Sequence, residues 1–203
     1  EVLVVQAKSF HKSRALKLAK MLLGEGLLTS EGEHHLRQRR MMAPAFHRKK
    51  IMDYGVVMSG EANKFSGNLQ AGANINLHDA MMQLTLAIVA RTLFDADVVG
   101  DAREVGSALH DALSLFERVS NPFAPLLAKL PLPATRKLNR ARERLFRVID
   151  RIILEHEGVD RGDLLSMLLA AVDEEDNSKM SLEQVRDEAL TLFLAGHETT
   201  ANA

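Results

Sequence analysis

From about residue 180 the chain runs as one long, apolar-faced helix to residue 203, opened by the capping-box pattern Ser181-Leu182-Glu183-Gln184. At ~1.5 Å per residue such a helix is about 35 Å long, the width of a small domain. It has to pass through the middle of a body larger than these residues, so the segments around it must be able to pack on a helix. Its interior carries Ala195-Gly196-His197-Glu198-Thr199-Thr200. Gly costs ~1 kcal/mol against Ala in a helix, and a mid-helix Thr tends to bond the carbonyl one turn back. The expectation is a turn widened at Gly196 and Thr199, with room for a small ligand and with Glu198 and Thr199 able to pass protons in series. The alternative is that Thr199 and Thr200 simply back-bond in a packed helix while Glu198 faces water.

Nearly everything else also reads as helix by its 3.6-residue apolar spacing, which makes the fold mainly α. Helices are expected over about 13–23, 33–43, 48–69, 79–94, 102–119, 134–157 and 163–172. Gly24 and Gly26, then Ser30 and Gly32, bracket a loop around Leu27-Leu28. Pro44 should end the second helix, because a residue ahead of proline avoids helical dihedrals. Asn76 and Asp79 mark a capped start before the apolar stretch that reaches Phe94. Minor β structure is expected only at residues 2–5, with a short strand or turn at 74–77. A proline-rich stretch at 121–133 reads as a loop between two helices of one body, so residues 1–203 are taken as one domain. From a start without Met and a stop in mid-helix, an internal piece of a longer protein, cut at both ends, is expected.

Composition removes several functions. The 203 residues contain no Cys, which excludes disulfides, thiolate catalysis and Cys-based metal sites within them. A net charge of −1 and the absence of Trp argue against a nucleic-acid partner. No run reaches the ~18–20 apolar residues of a membrane span, and no export leader is signalled, so a cytoplasmic protein is expected.

A second constellation is Gly32-Glu33-His34-His35-Leu36-Arg37-Gln38-Arg39-Arg40, followed by Pro44-Ala45-Phe46-His47. His35 and Arg39, four apart, share a helix face and can both donate to one anionic group, such as a pair of carboxylates. Arg37 and Arg40 point elsewhere, toward solvent or a partner. The plainer reading is a basic solvated face. His34-His35 cannot close on one metal, since helix neighbours diverge by about 100°. His197-Glu198 starts a zinc-protease pattern whose second His would fall at Ala201. The acidic run at residues 173–177 lacks the Gly and the bidentate Glu of a calcium loop and reads as a solvated turn.

Together these segments resemble the cytochrome P-450 family of haem-thiolate monooxygenases. Residues 10–30, on through Phe46-His47, are similar to the family's approach to its proximal haem-side helix. In that helix the family sets an aromatic residue or His four positions before an Arg, here His35 and Arg39. Trp is the common residue at the first of these, so His35 is a departure. Ala195-Gly196-His197-Glu198-Thr199-Thr200 is similar to the family's oxygen-binding helix signature. The resemblance implies haem b as cofactor, its propionates held by His35 and Arg39, with Ala195 and Gly196 beside it. It implies a hydrogen bond from Thr199 to dioxygen, a part for Glu198 in proton delivery, and Leu28, Leu194 and Ala195 lining the pocket of an apolar substrate of the fatty-acid or other lipid class. Residues 102–157 would form the pocket's mobile roof. The family's Glu-x-x-Arg pair and Cys loop lie beyond the long helix, so the iron ligand is outside this chain and the piece alone should be inactive. Arg37, Arg40, Lys49 and Lys50 become candidates for docking an acidic ferredoxin, flavodoxin or reductase surface. The competing reading is a non-enzymatic all-helical binding module, or a relic of the family.

Overall fold

The computed structural model describes residues 5–6, 9–96, 105–108 and 132–203. Within them lie helices α1 (Arg14–Leu23), α2 (Gly32–Met42), α3 (Arg48–Gly67), α4 (Leu77–Phe94), α5 (Pro133–Glu155), α6 (Leu164–Ala170) and α7 (Leu182–Ala201). The mainly α expectation holds. The only β pairing among the described residues is an isolated antiparallel bridge between Val172 and Lys179. The strand expected at residues 2–5 falls outside them except for Val5, which sits in a turn, and residues 74–76 are irregular. Of the helix expected at 102–119 only residues 105–108 are described, and they are helical. The 121–133 connection lies outside the described residues, apart from Leu132 and Pro133, the latter opening α5.

The local signals work as their chemistry requires. Ser181 Oγ accepts from Gln184 N at 3.2 Å, and Gln184 Oε1 accepts from Ser181 N at 2.8 Å, so both arms of the capping box are closed. Asn76 caps α4 by accepting from Asp79 N at 3.4 Å. Pro44 ends α2 as an α-helix, but the chain continues as a 3-10 turn over Ala43–Phe46. Gly24 stops α1 with φ +66, a left-handed value that favours glycine.

The apolar spacing of α5 shows how the core is assembled. Ala141, Leu145, Val148, Ile149, Ile152 and Ile153 recur at three- and four-residue intervals and are all buried. They join Leu22, Leu86, Leu164, Leu165, Leu168, Val185, Leu190 and Phe193 in one core. α7 runs through it, packed on α4, α5, α6 and α1. Burying a side chain the size of Phe193 or Leu190 contributes about 1.5–3 kcal/mol. α3 differs, since Tyr54 is its only buried residue while Ile51, Met52, Val56 and Met58 are exposed.

A buried imidazole–carboxylate pair joins α5 to α6. His156 Nε2 lies 2.7 Å from Asp163 Oδ2, and His156 Nδ1 lies 2.7 Å from Ile152 O. Asp163 also caps α6 by accepting from Ser166 N at 2.8 Å. With an acceptor facing each ring nitrogen, His156 holds the turn between the two helices from both sides.

Candidate functional site

α7 presents two unlike faces at its carboxyl end. Ala195, Thr199 and Thr200 are exposed, Glu198 and Gly196 half-buried, and His197 buried. Thr199 Oγ1 donates to Ala195 O, the back-bond expected of a mid-helix threonine. The widened turn does not occur. The helix is α throughout residues 182–201, and Asn202 N still reaches Glu198 O at 3.2 Å. Gly196 serves close packing instead, because a Cβ there would stand 2.8 Å from Val89 Cγ2 on α4. Its missing side chain is filled by a neighbouring helix and leaves no gap for a ligand.

His197 locks the same crossing. Thr85 on α4 donates its hydroxyl to Met81 O at 3.0 Å, so His197 Nδ1 donates to Thr85 Oγ1 at 3.1 Å. Its Nε2 is buried without a partner among the described residues. Burial pulls its pKa from 6.5 down to about 4, which keeps the ring neutral. Phe94 and Phe193 stack nearby with ring centroids 6.1 Å apart. The crossing therefore fixes the roll of α7 and turns Ala195 and Thr199 outward together.

On α2, His35 and Arg39 lie one turn apart as expected. Arg39 is exposed and makes no ion pair among the described residues. His35 is half-buried, and its Nδ1 donates to Leu27 O at 3.1 Å. Desolvation, then the nearby Lys12 charge, holds its pKa below the usual histidine value. The neutral ring thus turns a lone pair at Nε2 outward and would donate there only after gaining a proton, which an adjacent carboxylate favours.

Arg37 is largely covered and Arg40 stays exposed, and both are tied to the acidic run at residues 173–177. Arg37 Nε pairs with Asp173 at 3.0 Å and its NH2 donates to Ser178 Oγ at 2.7 Å, while Arg40 reaches Glu175 at 2.9 Å. The acidic run is correspondingly more than a solvated turn, since Asp173, its first residue, is buried. Lys50 donates to Gly162 O at 2.5 Å, so of the four docking candidates only Lys49 is exposed with no such tie among the described residues.

Between α1 and α2, residues 24–30 lie directly on α7. Glu25 N donates to Asp187 Oδ2 at 2.8 Å, and Leu27 N donates to Glu188 Oε2 at 2.9 Å. Lys12 Nζ donates to Leu27 O at 2.7 Å, and Gln38 Nε2 to Glu25 O at 2.8 Å. Lys12, Gln38, Asp187 and Glu188 were not singled out from the sequence. The visible signal was two adjacent acids inside an apolar helix. Leu28, carried by this loop, keeps 42% of its surface exposed, while Leu194 is partly buried against the core and Ala195 is open.

These residues fit the edge and one face of a haem. Arg39 supplies a cation with no ion pair among the described residues, and His35 a nitrogen, for two carboxylates. Ala195 and Thr199 give a small-residue surface, and Leu28 an uncovered apolar one, of the kind a flat ring covers. An axial thiolate is not supplied by these residues, which contain no cysteine. No group of three or more His, Cys, Asp or Glu placed to hold a metal occurs among the described residues. Nor is any described helix long and apolar enough to cross a membrane.

Comparison with known proteins identifies the family. The family model described as Cytochrome P450 matches residues 1–203. Cyclooctatin synthase of Streptomyces melanosporofaciens is 41% identical over 189 residues, covering 91% of this chain and 41% of that protein. Cyclooctat-9-en-7-ol 5-monooxygenase of the same organism is 34% identical, over 98% of this chain and 44% of its own. Pentalenene oxygenase of Streptomyces avermitilis is 32% identical, over 90% and 41%. The chain thus spans less than half the length of these relatives. With the family model matched from end to end and relatives this similar, the chain belongs to the cytochrome P450 family.

Proposed function

We propose that the full-length protein is a haem-dependent monooxygenase acting on an apolar organic molecule, and that residues 1–203 are the part of its domain carrying the propionate anchors and the oxygen-side helix. The observation that carries this reading is the outward pairing of Ala195 and Thr199 beside half-buried Glu198, on a helix whose opposite face is sealed by α4. When bound, haem supplies the activation of dioxygen and the insertion of one oxygen atom. Arg39, and His35 once protonated, would hold its two propionates. Ala195 would leave space beside the ring, since it is exposed and carries only a methyl, whereas Gly196 serves the crossing with α4 behind it. The Thr199 hydroxyl, on leaving its back-bond to Ala195 O, would donate toward the oxygen side, and the Glu198 carboxyl would replenish that proton from solvent. Leu28, Leu194 and Ala195 exclude water and orient the substrate.

Relatives named for cyclooctat-9-en-7-ol and pentalenene favour an alkene or alkenol over a fatty acid. Electrons come from a separate donor of ferredoxin, flavodoxin or reductase type, with Lys49 the remaining basic candidate of the original four. The iron ligand lies outside these residues, so residues 1–203 alone are inactive.

The test is the carbon monoxide difference spectrum of the reduced full-length protein. A red-shifted Soret band, as thiolate ligation produces, is expected; a protein that takes up no haem overturns the reading. In the same protein Thr199→Ala should divert electrons from product to peroxide. Unchanged coupling would remove the role given to Thr199.

A further inference from the structure

We propose that Glu188, seconded by Asp187, is a positioning residue of this site: its carboxyl takes the Leu27 amide, and the Leu27 backbone in turn sets His35 and the neighbouring Leu28. The inference rests on the functional reading above and extends it to a pair of acids ten and eleven residues before Glu198.

The geometry is one of direct contact between the loop and α7. A Cβ on Gly24 would fall 2.1 Å from Asp187 Oδ2, and one on Gly26 would fall 2.3 Å from Thr191 Oγ1 and 2.8 Å from Asp187 O. Glycine at both places lets the backbone lie flat on α7, where the two carboxyls meet amides two residues apart. Leu27 is then held from both sides. Its N–H goes to Glu188, while its carbonyl accepts from Lys12 at 2.7 Å and from His35 Nδ1 at 3.1 Å. One residue's backbone therefore stands between the oxygen-side helix and the imidazole assigned to a propionate. Thr29 Oγ1 donates to Gly24 O at 2.6 Å and closes the loop on itself.

The clamp is buried. Glu188 is 0% exposed, and Ser30 and Gln38 are equally covered. Glu188 Oε1, Thr191 Oγ1, Ser30 Oγ and Gln38 Oε1 have no partner among the described residues. The Leu27 amide is the one hydrogen bond that the buried Glu188 carboxyl makes among the described residues. Burial also pushes the Glu188 carboxyl up to about 7, with the adjacent Asp187 acting in the same direction. A neutral carboxyl still accepts the Leu27 amide through its carbonyl oxygen, so the positioning role needs the hydrogen bond and not the charge.

That distinction gives the experiment, done on the full-length haem-loaded protein. Haem loss to an excess of apomyoglobin is followed for Glu188→Ala, Glu188→Gln, His35→Ala and the Glu188→Ala/His35→Ala pair. Glu188→Ala should speed haem loss about tenfold, the size of effect that outer partners of a ligating group have. Glu188→Gln keeps an acceptor for Leu27 and should stay within about twofold of the parent. Because both residues act through Leu27, the double variant should lose haem no faster than the quicker single variant. Effects that simply multiply, or a Gln variant as fast as the Ala variant, overturn the proposal. If Glu188→Ala does not fold, Gly26→Ala lifts the loop from α7 without deleting the carboxyl, and unchanged haem loss in that variant overturns it equally. Amide hydrogen exchange at Leu27 separates the two readings. A parent that binds no haem defeats the functional proposal, whereas a Leu27 amide that exchanges no faster in Glu188→Ala than in the parent defeats the clamp.

Discussion

The two faces of α7 use neighbouring residues for opposite ends. Toward α4, Phe193, Gly196 and His197 are fitted to Phe94, Val89 and Thr85, with a glycine where even a methyl would collide. Away from it, Ala195, Thr199 and Thr200 are covered by nothing among the described residues. Sealing one face is what makes the other dependable: a helix free to roll by one residue would turn Thr199 through about 100°. Rigidity at the crossing and openness at the motif are therefore two parts of one arrangement.

The sharpest way to break that comparison is to fill the sealed face. Gly196→Leu should destabilise the full-length protein by about 3 kcal/mol, at the upper end of what overpacking costs. Val89→Ala in the same protein should restore part of the loss, because Val89 Cγ2 is the atom a side chain at 196 meets first. Urea denaturation checks both variants. A Gly196→Leu protein as stable as its parent would mean that the crossing is loose.

The buried titratable groups on α7 sharpen it through pH, and their signs oppose. Glu188 is raised from 4.5 to about 7, so folding binds its proton; that stabilisation is full below about pH 4.5 and is lost as pH rises through 7. His197 is lowered from 6.5 to about 4, so its contribution is full above about pH 6.5 and is lost as pH falls through 4. Urea midpoints across a pH series should show Glu188→Gln flattening the upper limb and His197→Asn the lower one. Limbs that survive these substitutions would assign the pH dependence elsewhere.

The smallest expected effect belongs to the open face. Thr199→Ala removes an exposed back-bond and gains helix propensity, so its stability should stay within about 0.5 kcal/mol of the parent. A loss of 2 kcal/mol or more by the same denaturation (roughly the cost of a buried contact) would move Thr199 to the structural side of the comparison.

How much was legible in advance follows from the range of each signal. The capping box at Ser181, the Asn76 cap and the α5 spacing read correctly because both partners of each contact lie within a few turns. The motif at residues 195–200 was legible as a motif, yet its glycine was misread. In isolation Gly196 looks like a gap, and only the position of Val89 shows it to be a close contact. The partners of Arg37 and Arg40 were not legible for the same reason, since these acids lie more than 130 residues further along. The Glu188 clamp joins residues 161 apart in sequence and carries no local pattern beyond two acids on an apolar face.

By itself, then, the order of residues determined where helices begin and end, which stripes of them are apolar, and which family motif they carry. Periodicity, caps and proline act over one or two turns, so a chain cannot help displaying them. The tertiary structure decided which face of α7 is sealed, where the 24–30 loop rests and which charges are already matched. Those outcomes depend on surfaces meeting across more than a hundred residues, and complementarity of that kind exists only after the chain has folded.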